Sequence, residues 1–395
     1  MGNFDHDAVL RARVLLLGSE RPDLLEEVHA YRVLAEVSPN AYLPKLAGAL
    51  VSLSHRAQDP EVELALCAEA VDTARRIDAG VTPRTASLCH ALDAYQRVLF
   101  AAGRRAEGRA ACEEMAEAGR KGRLANVLAE EGRFQEAAKL DEGFVRNGTE
   151  SSFWSTVEWA ANLEGAGRHE EAVHVFGELV DEARREAAAG GAASAALTGR
   201  LLHLALMQEA AGRRTEATAT RREALTVLEE LAAPDRPKGD GMYLAWWSTL
   251  FLLSGRTGEP AATPEAPAPP FGTHGMHWSR DVTRAFLDAL PQLEEEAARL
   301  REAGRLSALA DVRRRICIRV VRRHGDHHYR LQERLGPYFD EGVALARQLS
   351  DDPARLARAL TDRATFRLVT GAFEPAYADL AEAVALLEHN PPARS

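Results

Sequence analysis

The sequence predicts an all-α chain, an α-α superhelix of antiparallel helix hairpins, and three observations carry that prediction. Gly-Arg recurs with a Glu three residues further on, in Gly103-Arg104 with Glu107, Gly132-Arg133 with Glu136, Gly167-Arg168 with Glu171 and Gly212-Arg213 with Glu216. Each copy follows an Ala/Leu-rich stretch of helical period, which is how a turn between two packed helices looks. Apolar residues keep register with the glycines: Trp159, Ala160 and Leu163 precede Gly167, and Ala172, Phe176 and Leu179 follow it. Composition agrees, because 46% of residues are hydrophobic but only 6% aromatic, and abundant Ala favours helix and close helix approach over a β-rich core.

From the N-terminus, Pro22 to Glu36 and Ala41 to Ser54 read as helices separated by Ser38-Pro39-Asn40, a stop followed by a cap. Glu61 to Ile77 continues the pairing. Around Gly132, Leu124, Ala125 and Leu128 precede and Ala137 and Phe144 follow, with Asp141 where a large apolar residue belongs. Gly212 keeps Leu204, Ala205 and Ala217, and Gly371 keeps Ala364, Ala376, Leu380 and Ala383. Gly190-Gly191 breaks an Ala-rich run between Ala187 and Ser194. Residues 257–276 contain Pro260, Pro264, Pro267, Pro269 and Pro270, which no helix spans. They divide an N-terminal array, 1–256, from a C-terminal array, 277–395, as a linker or as a long loop. After them Ser279 to Arg301 reads as one long helix and Gly304-Arg305 as a further turn. Leu306 to Arg323, Tyr329 to Leu349, Pro353 to Val369 and Glu374 to Leu387 complete the series. About sixteen helices follow from the mean helix length.

Small residues where paired helices touch, with bulky residues beside them, resemble the tetratricopeptide repeat, best over residues 85–230. Successive Gly-Arg pairs lie 29, 35 and 45 residues apart, against a family period of about 34. The Ala-, Arg- and Glu-rich style is similar to repeat proteins of high-GC actinobacteria. The resemblance implies an inner wall built by the first helix of each repeat. It nominates His90, Asp93, Arg97, Asn126, Trp154, Glu158 and Glu164 to meet a protein or peptide partner. Some members of the family grip a terminal carboxylate with Lys and Asn. Asn126 matches one such position, but Gly122 and Glu158 stand at others, so that clamp is missing here.

Charge and cysteines narrow the function further. A net charge of −10 argues against general attraction to nucleic acid or anionic membranes. Cys67, Cys89, Cys112 and Cys317 are scattered through helical patterns and read as buried free thiols. The N-terminal apolar run, Val14 to Leu17, is too short to span a bilayer and lacks a cleavage site, which points to a cytoplasmic location.

Three further features invite chemistry. Arg315, Arg319, Arg322 and Arg323 share a helical face, suited to an anion or acidic partner, although a solvated face or pairing with Glu294–Glu296 is the simpler account. His324 to Tyr329, HGDHHY, and the pair His274 and His277 near Trp278 have metal-like composition but no ligand spacing, and read as exposed turns. Trp246-Trp247 point roughly 100° apart on a helix, so that one suits the core and the other either the core or a groove. No phosphate-binding loop, nucleophile elbow or zinc-protease helix occurs. The resulting expectation is a non-enzymatic scaffold without a cofactor, binding a peptide or protein in a groove. The alternative is a sensor whose array binds a small ligand or signalling peptide and controls a regulatory partner.

Overall fold

The computed structural model describes residues 5–18, 22–81, 83–147, 152–189, 194–233, 242–325, 330–349 and 351–389. All regular structure among them is helical, with no strand. The first helices are α1 (His6–Leu17), α2 (Leu24–Val37), α3 (Pro39–Ser54), α4 (Pro60–Arg75), α5 (Arg84–Ala101), α6 (Arg105–Glu117) and α7 (Gly122–Glu130). They are followed by α8 (Phe134–Asn147), α9 (Phe153–Gly165), α10 (His169–Ala188), α11 (Ser194–Ala210), α12 (Arg214–Ala232) and α13 (Leu244–Leu253). The last are α14 (Arg280–Asp288), α15 (Leu290–Glu302), α16 (Leu306–His324), α17 (Leu331–Arg347), α18 (Pro353–Val369) and α19 (Phe373–His389). Most pack chiefly on a neighbour in the chain; α13 instead packs on α16 and α18, and α12 also packs on α19. Contacts divide the chain into two compact units, residues 1–127 with 279–281, and residues 128–278 with 282–395. The Pro-rich 257–276 segment lies inside the second.

The Gly-Arg-x-x-Glu recurrence has a definite geometry. Gly103, Gly132, Gly167, Gly212 and Gly304 all have φ between 65° and 77°, the left-handed conformation that ends a helix and that a side chain makes costly. After α5, the Gly103 N–H donates to the Phe100 carbonyl and the Arg104 N–H to the Leu99 carbonyl, and the other copies repeat this crossed pair. It satisfies carbonyls that the ending helix leaves open. The Arg then folds back on the Glu of the next helix's first turn: Arg104 on Glu107, Arg133 on Glu136, Arg168 on Glu171 and Arg213 on Glu216. One pentapeptide thus both stops a helix and starts its partner.

Alanines mark the close approaches. Ala125, Ala160, Ala205 and Ala364 before the turns, and Ala137, Ala172, Ala217 and Ala376 after them, are all fully buried. Leu43, Leu46, Leu50, Val71, Leu92 and Leu99 form the core of the first unit, and Phe176, Trp247, Phe339 and Phe366 are central to that of the second. All four cysteines are buried and free. No helix among the described residues is long and apolar enough to cross a membrane.

Some local expectations give way. The long helix read over 279–301 is two helices parted at Ala289, because Pro291 in the first turn of α15 has no N–H to continue α14 and its ring crowds the preceding turn. That break and the additional α1 raise the described helices above sixteen. Phe144, placed in the repeat register, is exposed, whereas Asp141 is buried at the apolar position it occupies. Gly190-Gly191 and Asp326 to Tyr329 lie outside the described residues.

Candidate functional site

The nominated residues fall into different settings. In the first unit, His90 and Arg97 are exposed on α5, where Arg97 pairs with Asp93, and Asn126 is buried on α7. In the second unit, Trp154, Glu158 and Glu164 lie on α9, Trp246 on α13, and Arg315, Arg319 and Arg322 on α16. Most of this second set meets either an aromatic stripe or the Pro-rich segment.

The stripe starts from residues at the beginnings of α9 and α13. Ser152 caps α9 with a reciprocal Ser155 contact, which places Phe153 and Trp154 in the first turn. Phe153 stacks on Trp246 at 4.6 Å between ring centres and meets Trp154 edge-on at 5.1 Å. Trp246 continues to Tyr243 at 5.7 Å, and Trp154 to His274 at 4.9 Å, which meets His277 at 5.9 Å. The row is accessible except at Phe153, which is buried: Tyr243 is 57% exposed and the nearby-in-chain Met276 75%, while Trp154 and Trp246 are half-buried. Beneath it lies Arg200, only 3% exposed, its guanidinium 4.9 Å from the Trp246 ring centre and 5.4 Å from that of Phe153. Its one hydrogen bond goes to the Leu179 carbonyl at 3.2 Å, and among the described residues no carboxylate pairs with it. Burial lowers its pKa, and two ring faces supply the compensation that an ion pair otherwise would. Trp247, by contrast, is 1% exposed between Phe251, Phe339 and Phe366. The tryptophan pair therefore splits between core and surface.

The arginine face of α16 is occupied by the chain's own Pro-rich segment. Arg319 makes a two-pronged pair with Glu259 at 2.6 and 2.8 Å, donates to the Phe286 carbonyl and lies 4.1 Å from that ring's centre. Arg315 reaches the same Glu259 at 3.5 Å, and Arg322 donates to the Gly275 carbonyl at 2.6 Å. The other side of the segment rests on α9 and the turn after α7. Arg256 donates to the Ala161 carbonyl and pairs with Glu164, Ala268 N–H donates to the Glu130 carbonyl, and Gly132 and Gly272 pass too close to Ala262 and Ala161 to carry side chains. Five prolines leave few backbone donors in the segment, and side chains of α16 take over much of the anchoring.

Under α9 sits a pair of carboxylates. Asp141 accepts a hydrogen bond from Asn162 at 2.7 Å, yet burial pushes its pKa up to about 7. Burial, then the nearby Asp141, raises Glu158 to about 8. Glu164 is also raised by burial, with Arg256 opposing. Among the described residues no group of three or more His, Cys, Asp or Glu is arranged to hold a metal, and most of the HGDHHY run lies outside them.

The sequence reading missed one feature altogether. Between α13, α16, α17 and α18 a cavity of about 300 Å³ opens, floored by Phe251, Phe339 and Cys317 and walled by Arg314, Arg358 and Asp362. The available signal was on α18, where Asp352, Arg355, Arg358 and Asp362 recur at helical spacing on one face. A charged stripe reads as solvated unless a facing helix is known to stand off from it. No protein-family model matches the chain, and no curated protein sequence matches it.

Proposed function

We propose that this chain is a non-catalytic, tetratricopeptide-like binding protein that takes an extended segment of a partner protein on the Tyr243–Trp246–Phe153–Trp154 stripe. The carrying observation is the continuous row of rings, in which the accessible Tyr243, Trp246 and Trp154 are joined through the buried Phe153 and braced from below by an Arg200 that makes no ion pair among the described residues. Flat rings held at fixed spacing suit apolar or proline residues of an extended peptide, which arrives with little conformational freedom to lose. No cofactor enters this reading, because binding needs only pre-formed contacts. Selection of a random peptide library on the purified chain, followed by titration of the selected peptide, tests it. Trp246→Ala and Trp154→Ala are expected to weaken binding by about 2 kcal/mol each, the scale of an interface hot spot. Peptides that bind the double variant as well as the parent would falsify the stripe as the site.

A second reading, a sensor for a small ligand, is favoured by the α13–α18 cavity, whose volume lies at the lower end of small-molecule sites. A thermal-shift screen with metabolite classes separates it from the first, since the stripe has no comparable enclosure.

A further inference from the structure

The wall of the α13–α18 cavity is rich in arginine, and its ion pairs leave one guanidinium over. Arg314 of α16 is matched by Asp362 at 2.8 Å. Arg313 is matched by Glu294 at 2.8 Å and Glu341 at 3.1 Å. Arg355 is matched by Asp352 at 3.1 Å and by Asp311. Arg358 has no carboxylate in ion-pair range among the described residues. Its single hydrogen bond, 2.8 Å long, goes to the carbonyl of Ser254 at the end of α13, an acceptor it shares with Arg314. A guanidinium has five N–H donors, so most of those on Arg358 are uncommitted. The residue is exposed overall while its head turns in toward Ser254. There loss of water, and then the adjacent Arg314, lower its pKa, with Asp362, Asp311 and Glu209 opposing from beyond ion-pair range. The Tyr338 hydroxyl, also on the lining, has no hydrogen-bond partner among the described residues.

The rest of the lining is apolar: Phe251, Phe339, Cys317, Ala310, Ala346 and Ala359. Cys317 is an inert part of it, since burial pushes its thiol far above the ordinary range. One unmatched cation beside an apolar floor selects a ligand with one negative charge and a compact apolar body. A second negative charge would meet Asp362 and Asp311, both on the lining.

We propose that the α13–α18 cavity binds a small monocarboxylic acid, its carboxylate on Arg358 and its apolar body against Phe251 and Phe339. This deepens the sensor reading by naming its ligand class, and it is independent of the aromatic stripe. A planar carboxylate suits the guanidinium fork.

Isothermal titration of the full chain with 4-phenylbutyrate and with octanoate tests the assignment, with the corresponding primary amides as uncharged controls. Saturable binding of at least one acid is expected, at least tenfold tighter than its amide. Arg358→Gln is expected to remove that preference, while Arg334→Gln, an exposed change on α17 outside the cavity, leaves it intact. Gly342→Leu gives a check that does not depend on charge. Gly342 lines the cavity, and a Cβ there meets nothing within 4 Å. The helical position gains from losing glycine, so the variant is expected to fold as well as the parent and to lose acid binding at least tenfold. Equal affinity for acid and amide, unchanged binding in Arg358→Gln, or no saturable binding of either acid overturns the assignment.

Discussion

Two parts of the second unit use arginine in opposite ways. Where the Pro-rich segment crosses α16, Arg315 and Arg319 converge on Glu259 and Arg322 takes the Gly275 carbonyl, so the charges are consumed in holding the chain to itself. Around the α13–α18 cavity, Arg314 is matched by Asp362 but Arg358 keeps most of its donors open. The residue types and helical spacings are nearly the same. The difference lies in what the fold brings opposite them: a proline-rich segment short of donors in one case, and a gap between helices in the other. An arginine stripe is therefore informative about function only once its partners in space are known, because a matched and buried pair is structural while an unmatched, accessible cation is open to a ligand.

The comparison breaks most sharply at Glu259. Its side chain is 5% exposed and that of Arg319 is 4% exposed, so Glu259→Gln leaves a buried cation uncompensated, a change that costs about 3–5 kcal/mol. Urea unfolding that shows less than about 1 kcal/mol of loss would mean that the pair is solvated and the segment only loosely held. Glycine substitutions give the next largest contrast. Gly132 and Gly167 share φ of +74°, and Ala at either costs about 1 kcal/mol for the left-handed backbone. Only at Gly132 does the new Cβ also strike the Ala262 carbonyl of the segment. Gly132→Ala is therefore expected to lower the thermal midpoint clearly more than Gly167→Ala, and equal shifts would argue against a docked segment.

Proton linkage sharpens the picture at α9. Asp141 and Glu158 titrate at about 7 and about 8 in the folded chain, against ordinary values of 3.8 and 4.5. The folded state therefore holds protons that the unfolded state has released. The contribution of these two groups is complete below their ordinary values and is lost as pH rises through the folded ones. Asp141→Asn is expected to flatten the fall in urea midpoint between about pH 5 and about pH 8; a parent chain whose stability rises over that range unless Asp141 is replaced would contradict the assignment. The smallest effect belongs to the open side of the comparison. Arg358→Gln is expected to change stability by no more than about 1 kcal/mol, since it loses a single hydrogen bond, to a Ser254 carbonyl that Arg314 also serves, and differential scanning calorimetry of the unliganded chain measures it.

Much of the architecture was legible because it rests on local rules. Helix ends at Gly103, Gly132, Gly167 and Gly212 follow from the backbone freedom of glycine, and the buried Ala160 and Ala172 from helical period alone. The break at Ala289 was legible too, in Pro291, but a strong apolar pattern masked it. The candidate sites were less so. Trp154 and Trp246 were named one by one, yet nothing in the sequence places Phe153 between Trp154 and Trp246, or Arg200 beneath the stack. The arginines of α16 were recognised as a face, but not as the mooring of residues 257–276, whose prolines reveal only that they form no helix.

By itself, then, the amino-acid order determined where helices begin, end and press together, since capping, propensity and period act over a few neighbouring residues. Tertiary structure alone decided which arginines are matched, which aromatic rings stay open to solvent, and why Asp141 at an apolar position holds its proton more tightly. Those outcomes depend on groups tens to hundreds of residues away that arrive only on folding, such as Glu259 against Arg319 and Ser254 against Arg358. Coulomb and desolvation energies are set by those distances and by the exclusion of water, neither of which is written in the local sequence.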